Sequence, residues 1–172
     1  MTRAFQLRVP PETGHVVVDT PAAVPGQDLT ELTRNADAII VPVLPSDIDI
    51  HACSKCIADL LLIAKVRRDE HRIGVIANRV RKNTLIYQSL LRFLETLKIP
   101  VITSIRDSQN YVRASELGVG VHEMKRYLVQ PDLDEWAPLI AWLRAKEALM
   151  APAGLAPELS TVTIPPALSE TA

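Results

Sequence analysis

The chain has 172 residues, 48% of them hydrophobic and 23% charged, which suits one folded domain of ordinary size. Only 4% are aromatic, so its core is expected to be aliphatic. No apolar run reaches the length of a membrane span, and the N-terminal MTRAFQLRVPPETG lacks the apolar stretch of a signal peptide. Two cysteines, Cys53 and Cys56, exclude a disulfide framework and fit a reducing compartment, so the sequence reads as cytoplasmic. The net charge of −1 hides a division: residues 1–64 carry 4 basic and 8 acidic groups, residues 65–126 carry 13 and 6, and residues 127–172 carry 2 and 6. The middle block is a candidate polyanion-binding surface; the alternative is a set of ordinary solvated helix faces.

Strands alternate with helices along the chain. His15–Asp19 (HVVVD) reads as a short β-branched strand ending in an acid, and Thr20–Asp28 as a Pro- and Gly-containing loop. Leu29–Asn35 reads as a short helix with Asp28 as its N-cap. Ala38–Val43 (AIIVPV) is a continuous apolar run, as in a strand buried on both faces. A helix is predicted over Asp47–Arg67 with Ser46 or Asp47 as cap, then a strand over Arg72–Ala77 and a polar loop over Asn78–Asn83. Leu85, Leu90, Leu91, Leu94 and Leu97 give a helical stripe within Thr84–Leu97. Pro100–Ser104 is the next strand, and Gln109–Leu117 a helix stopped by Gly118. Asp132–Leu149 is an amphipathic helix that starts or kinks near Pro138. This order predicts an α/β domain over residues 1–150, a parallel sheet with helices on both faces. The Pro-rich residues 151–172 are expected to be a disordered tail. Ligands of such sheets bind beyond the carboxyl ends of the strands, which points to Asp19–Pro21, Pro42–Ser46, Asn78–Arg81 and Ser104–Asp107 along one edge.

Four segments in order carry a family resemblance. VVVDTPAAVPGQD resembles the switch region of the ParA/MinD group of P-loop ATPases. Asp37–Ser46 (DAIIVPVLPS), Ile73–Arg79 (IGVIANR) and Pro100–Gly118 (PVITSIRDSQNYVRASELG) resemble that group's following strands, so that the likeness spans residues 14–125. The resemblance implies an incomplete P-loop NTPase fold and a partition or cargo-positioning role with ATP and Mg²⁺ as cofactors. It assigns Asp19 to the switch acid near Mg²⁺ and the attacking water, and Thr20 and Pro21 to the moving loop. Asn78 would face the adenine, Arg79 would flank the base or a dimer partner, and Ile105 and Arg106, with Asp107, would line the base pocket.

The sequence departs from the family where the chemistry is hardest. No KGGxGK[ST]-type loop is present, and that loop's backbone N–H groups and lysines hold the phosphates. Asp19 and Asn78 cannot replace it, since electrostatic stabilisation of the phosphoryl group is most of the reaction. The family's first strand, first helix and next strand are likewise not found, which would expose a sheet edge. Either another element covers that edge, Phe5–Val9 (FQLRV) being a candidate strand, or the natural protein has more sequence upstream.

Cys53 and Cys56 form a CxxC inside a predicted helix, with His51 and His71 as further donors. In the MinD-like branch such a pair can bridge metal between subunits, which makes zinc or an iron–sulfur cluster the alternative to two packing cysteines. Basic residues of the middle block, Arg79, Arg81, Lys82, Arg92, Lys98, Arg106 and Arg113, match the ParA-type habit of binding DNA without sequence preference. The tail after Met150 has no Lys or Arg, which argues against a membrane surface. The expectation is a non-hydrolysing positioning module in the cytoplasm or at the nucleoid, acting as a homodimer or with a ParA-type ATPase, through DNA or a cargo adaptor. The alternatives are an ATPase whose phosphate loop lies upstream, and a metal-binding protein using the CxxC pair.

Overall fold

A computed structural model describes residues 10, 12–21 and 24–150. The Phe5–Val9 strand and the tail over residues 151–172 lie outside the described residues. The elements are α1 (Gly26–Arg34), β1 (Ile39–Val43), α2 (Asp47–Leu62), β2 (Ile73–Val80), α3 (Leu85–Thr96), β3 (Val101–Arg106), α4 (Gln109–Leu117) and α5 (Arg126–Met150), with single 3₁₀ turns at Arg68–Glu70 and Val121–Glu123. The strands form one parallel sheet in the order β1-β2-β3. Each crossover carries a helix, as parallel pairing requires. The architecture is α/β and is consistent with an incomplete P-loop NTPase-like fold.

The central strand explains the two layers. β2 reads IGVIA, and its alternate side chains serve two cores. Val75 and Ala77 join Val41 and Val43 beneath Cys53, Ile57 and Leu60 of α2 and Tyr87, Leu90 and Leu94 of α3. Leu60, Leu90 and Leu94 are all but fully buried, each contributing about 1.5–3 kcal/mol by area. On the opposite face Ile76 and Ile105 pack on Leu139 of α5, flanked by Trp136, Trp142 and Leu143. Gly74 lets α5 approach: a Cβ there would sit 2.8 Å from Ile102 Cγ1 and 3.3 Å from Trp142 Cζ2.

The helix ends follow local chemistry. Ser46 and Thr84 cap α2 and α3 by accepting from Asp49 N and Tyr87 N, and Ser108 caps α4. Gly118 at φ 67° ends α4 in the left-handed turn expected there. Asp28 is not an N-cap: α1 starts at Gly26 after Pro25, and Asp28 falls in the first turn, where its charge suits the helix dipole. α2 ends at Leu62 rather than at Arg67. β2 runs on to Val80, through residues expected to be loop. α5 begins at Arg126 and continues through Pro131 and Pro138; both prolines face solvent, where water satisfies the carbonyls they leave free.

Two strand expectations are corrected. His15–Asp19 is not a strand: its residues are exposed, Val17 by 94%, and none is in a ladder. A strand needs a neighbour for its backbone groups, and these residues have none among those described. β1 is not buried on both faces: Val41 and Val43 point into the core, while Ile40 and Pro42 on the other face are exposed. The physical reason is position, since β1 is an edge strand and α5 covers that face over β3. Among the described residues, no helix is long and apolar enough to cross a membrane.

Candidate functional site

The carboxyl ends of the three strands are held differently. β1 runs out into Leu44 and Pro45 before the Ser46 cap. β2 ends in a bulge: Ala77 pairs with Ser104 and Val80 with Arg106, so Asn78 and Arg79 together oppose Ile105 alone. Arg79 takes φ 51°, a left-handed conformation that costs a non-glycine residue about 1–3 kcal/mol and recurs at functional sites. The Asn78 side-chain carbonyl accepts from Arg79 N at 3.0 Å and steadies the bend. β3 hands over to Asp107, whose N–H donates to the Val80 carbonyl at 3.0 Å.

These ends enclose a cleft of about 370 Å³ lined by Leu44, Pro45, Arg79, Arg81, Thr84, Ile86 and Asp107. Arg81 donates to one Asp107 carboxylate oxygen through Nη2 at 2.9 Å and Nε at 3.3 Å, and Arg79 Nε lies 3.4 Å from the other. The Arg81 hydrogen bonds, aided by Arg79, hold the Asp107 carboxyl below the ordinary carboxylate range. The cleft therefore has apolar walls at Leu44, Pro45 and Ile86 and two largely exposed guanidinium groups paired with Asp107.

A second polar cluster pins α5 behind this edge. Asp132 is 0% exposed and accepts from Arg106 Nε at 2.7 Å, Arg106 Nη2 at 3.1 Å and Asn110 Nδ2 at 2.6 Å. Burial works to raise the Asp132 pKa, yet these bonds win and hold it below its ordinary value. Glu135 accepts from Arg106 N at 2.7 Å and pairs with Lys82 at 3.0 Å.

Of the residues the sequence singled out, Arg79 and Arg81 meet at the cleft, with Asn78 adjoining them on the bulge. Ile105 is buried against α5, and Arg106 is committed to Asp132. Asp19, Thr20 and Pro21 are exposed and do not line the cleft. Arg92 and Arg113 are exposed on α3 and α4. Lys98 lines a separate cleft of about 490 Å³ at the opposite edge of the sheet, with Arg67, Arg68, Asp69, His71, Ile73, Ile99 and Pro100. Cys53 is buried in the α2 core and Cys56 is half-buried; burial, with Cys56 nearby, pushes the Cys53 thiol up to about 11. Among the described residues no three His, Cys, Asp or Glu side chains converge as a metal site.

Sequence reasoning named Leu44 and Pro45 within the Pro42–Ser46 loop, but missed Thr84 and Ile86 as cleft residues and missed Asp132, Asn110 and Glu135 altogether. Asp132 carried a signal: with Val129, Trp136, Leu139 and Leu143 it repeats at three- and four-residue steps, on the buried stripe of α5.

No protein-family model matches the chain. Maintenance of carboxysome distribution protein A of Halothiobacillus neapolitanus is 27% identical to it over 115 residues, which is 66% of this chain and 53% of that protein. The chain thus spans about half the length of the curated relative it matches.

Proposed function

We propose that this chain is a ParA/MinD-like positioning module whose carboxyl-edge cleft takes the base of an adenine nucleotide. The observation that carries this reading is the meeting of Leu44–Pro45, Arg79–Arg81 and Asp107, three strand-end segments of a parallel sheet, in one cleft. The weak similarity to a carboxysome distribution protein supports the positioning role. The apolar walls suit the faces of a planar base and the Arg81 side chain suits its polar edge, with Asn78 beside the lining on the bulge. The triphosphate is a different matter: the cleft residues include no glycine and no lysine to cradle it. Asp19, the residue for Mg²⁺, stands exposed outside the cleft. The module then acts by dimerising, by contacting DNA or by joining a ParA-type ATPase, rather than by its own turnover.

A second reading is favoured by the relative's greater length. In it the phosphate loop is supplied by an upstream segment, and the whole is an Mg²⁺-dependent ATPase. Titration of a fluorescent ATP analogue with Mg²⁺ separates the two. Binding that is weakened in Arg81→Ala and Asn78→Ala but unchanged in Asp19→Ala supports the module. Tight binding that Asp19→Ala also abolishes supports the ATPase, and no binding to the chain sinks the nucleotide site.

A further inference from the structure

The amino ends of β2 and β3 frame the second cleft, of about 490 Å³, on the edge of the sheet opposite the proposed nucleotide cleft. The two clefts share no lining residue. The floor of this one is apolar and fixed. Ile73 and Ile99 are buried, and the Pro100 carbonyl accepts from Val75 N at 2.9 Å, which ties the entry to β3 onto β2. Its rim is cationic, with Arg67, Arg68 and Lys98 against one acid, Asp69. Arg67 is paired with Asp69, whereas Arg68 and Lys98 are exposed and in no ion pair among the described residues.

The rim is held in shape by the chain itself. Arg72 clamps its loop from behind: Nε donates to Glu70 at 2.7 Å, and Nη1 donates to the Thr33 and Ala36 carbonyls at 3.0 and 2.9 Å. His71 at φ 51° and Lys98 at φ 52° both take the left-handed conformation that glycine adopts more readily. Residues in that conformation gather where binding sites are built. A rim fixed beforehand lowers the entropy lost on binding.

We infer that this cleft docks an acidic segment of a partner protein, whose carboxylates meet Arg68 and Lys98 while an apolar side chain between them rests on Ile73, Ile99 and Pro100. Charge complementarity sets the sign of the partner, and shape sets its kind. A nucleic-acid duplex presents a convex rail of phosphates, which fits a concave cleft poorly and is repelled by Asp69. A peptide offers an apolar side chain next to charged ones, the combination that this floor and rim accept.

Fluorescence anisotropy on the full chain tests this. The probe is a fluorescein-labelled decapeptide of alternating glutamate and leucine, with glutamine–leucine and all-glutamate decapeptides as comparisons. The double variant Arg68→Gln/Lys98→Gln removes the free rim cations, and Arg113→Gln/Lys125→Gln removes the same charge elsewhere. All four side chains are exposed, and an unchanged urea midpoint checks that each variant is folded. The glutamate–leucine peptide should bind about tenfold more tightly than either comparison, and the rim variant should weaken it about tenfold, against less than about twofold for the other variant. Equal affinity for the three peptides, equal loss in the two variants, or no binding of the glutamate–leucine peptide overturns the inference. So does duplex DNA that displaces the peptide and itself binds about tenfold more weakly to the rim variant, which would make the cleft part of a nucleic-acid surface.

Discussion

Removing the Arg106 guanidinium tests how α5 is held. Arg106→Met keeps the length of the side chain and deletes two charge-assisted hydrogen bonds, at 2.7 and 3.1 Å, to a carboxylate that is 0% exposed. Breaking a buried pair costs about 3–5 kcal/mol, because the surviving charge is left without its partner. The Arg106 side chain is itself 37% exposed, so water relieves part of the loss, and about 2–3 kcal/mol is expected at pH 7. The sign against pH gives the sharper test. In the parent the Asp132 pKa is lowered, so its contribution is full above the unfolded value of about 3.9 and is lost as pH falls through the folded value. In the variant desolvation of Asp132 is opposed chiefly by Asn110, its pKa rises, and protonation stabilises the folded state. The stability gap should therefore narrow as pH falls from 7 to below 4. Urea unfolding followed by Trp136 and Trp142 fluorescence measures it. A gap under about 0.5 kcal/mol at pH 7, or one that does not change with pH, would refute the reasoning.

Two further outcomes follow from packing and burial. Gly74→Ala should destabilise by about 1–3 kcal/mol in the same assay, since the new methyl collides with Ile102 and crowds Trp142. Iodoacetamide at pH 8 should modify Cys56 well before Cys53, whose thiol is buried and ionises only near pH 11; equal rates would place Cys53 outside the core.

How far the sequence revealed the fold depended on whether a pattern closed on itself locally. α3 and α4 were legible to within a residue or so, because the leucine spacing of one and the Gly118 stop of the other act within one or two turns. The carboxyl-edge rule brought three of the four named loops together, because it depends on strand direction alone. What stayed hidden was set by partners distant in sequence. β1 looked buried on both faces, yet its neighbours decide that, and α5 sits over β3 instead. HVVVD has the composition of a strand, but composition supplies no ladder. The bulge at Asn78 and Arg79 is a register shift against β3, which a single strand's sequence does not display.

The same dependence on partners changes what the basic block is expected to do with DNA. By sequence, seven cations, Arg79, Arg81, Lys82, Arg92, Lys98, Arg106 and Arg113, were available to a polyanion. In the fold Arg79 and Arg81 are held by Asp107, Lys82 by Glu135 and Arg106 by Asp132. Of the seven, only Arg92, Lys98 and Arg113 are in no ion pair among the described residues. Each phosphate neutralised steepens the logarithmic dependence of binding on salt by about 0.9, so seven contacts predict a slope of about −6 and three a slope of about −3. Duplex DNA titrated across a salt series, by fluorescence anisotropy, reads that slope directly. About −3, insensitive to Arg106→Met, is the expected result where that variant remains folded. A slope near −6 would mean that DNA draws the arginines away from their carboxylates, and the ion pairs at the carboxyl edge would then be a latch that DNA opens.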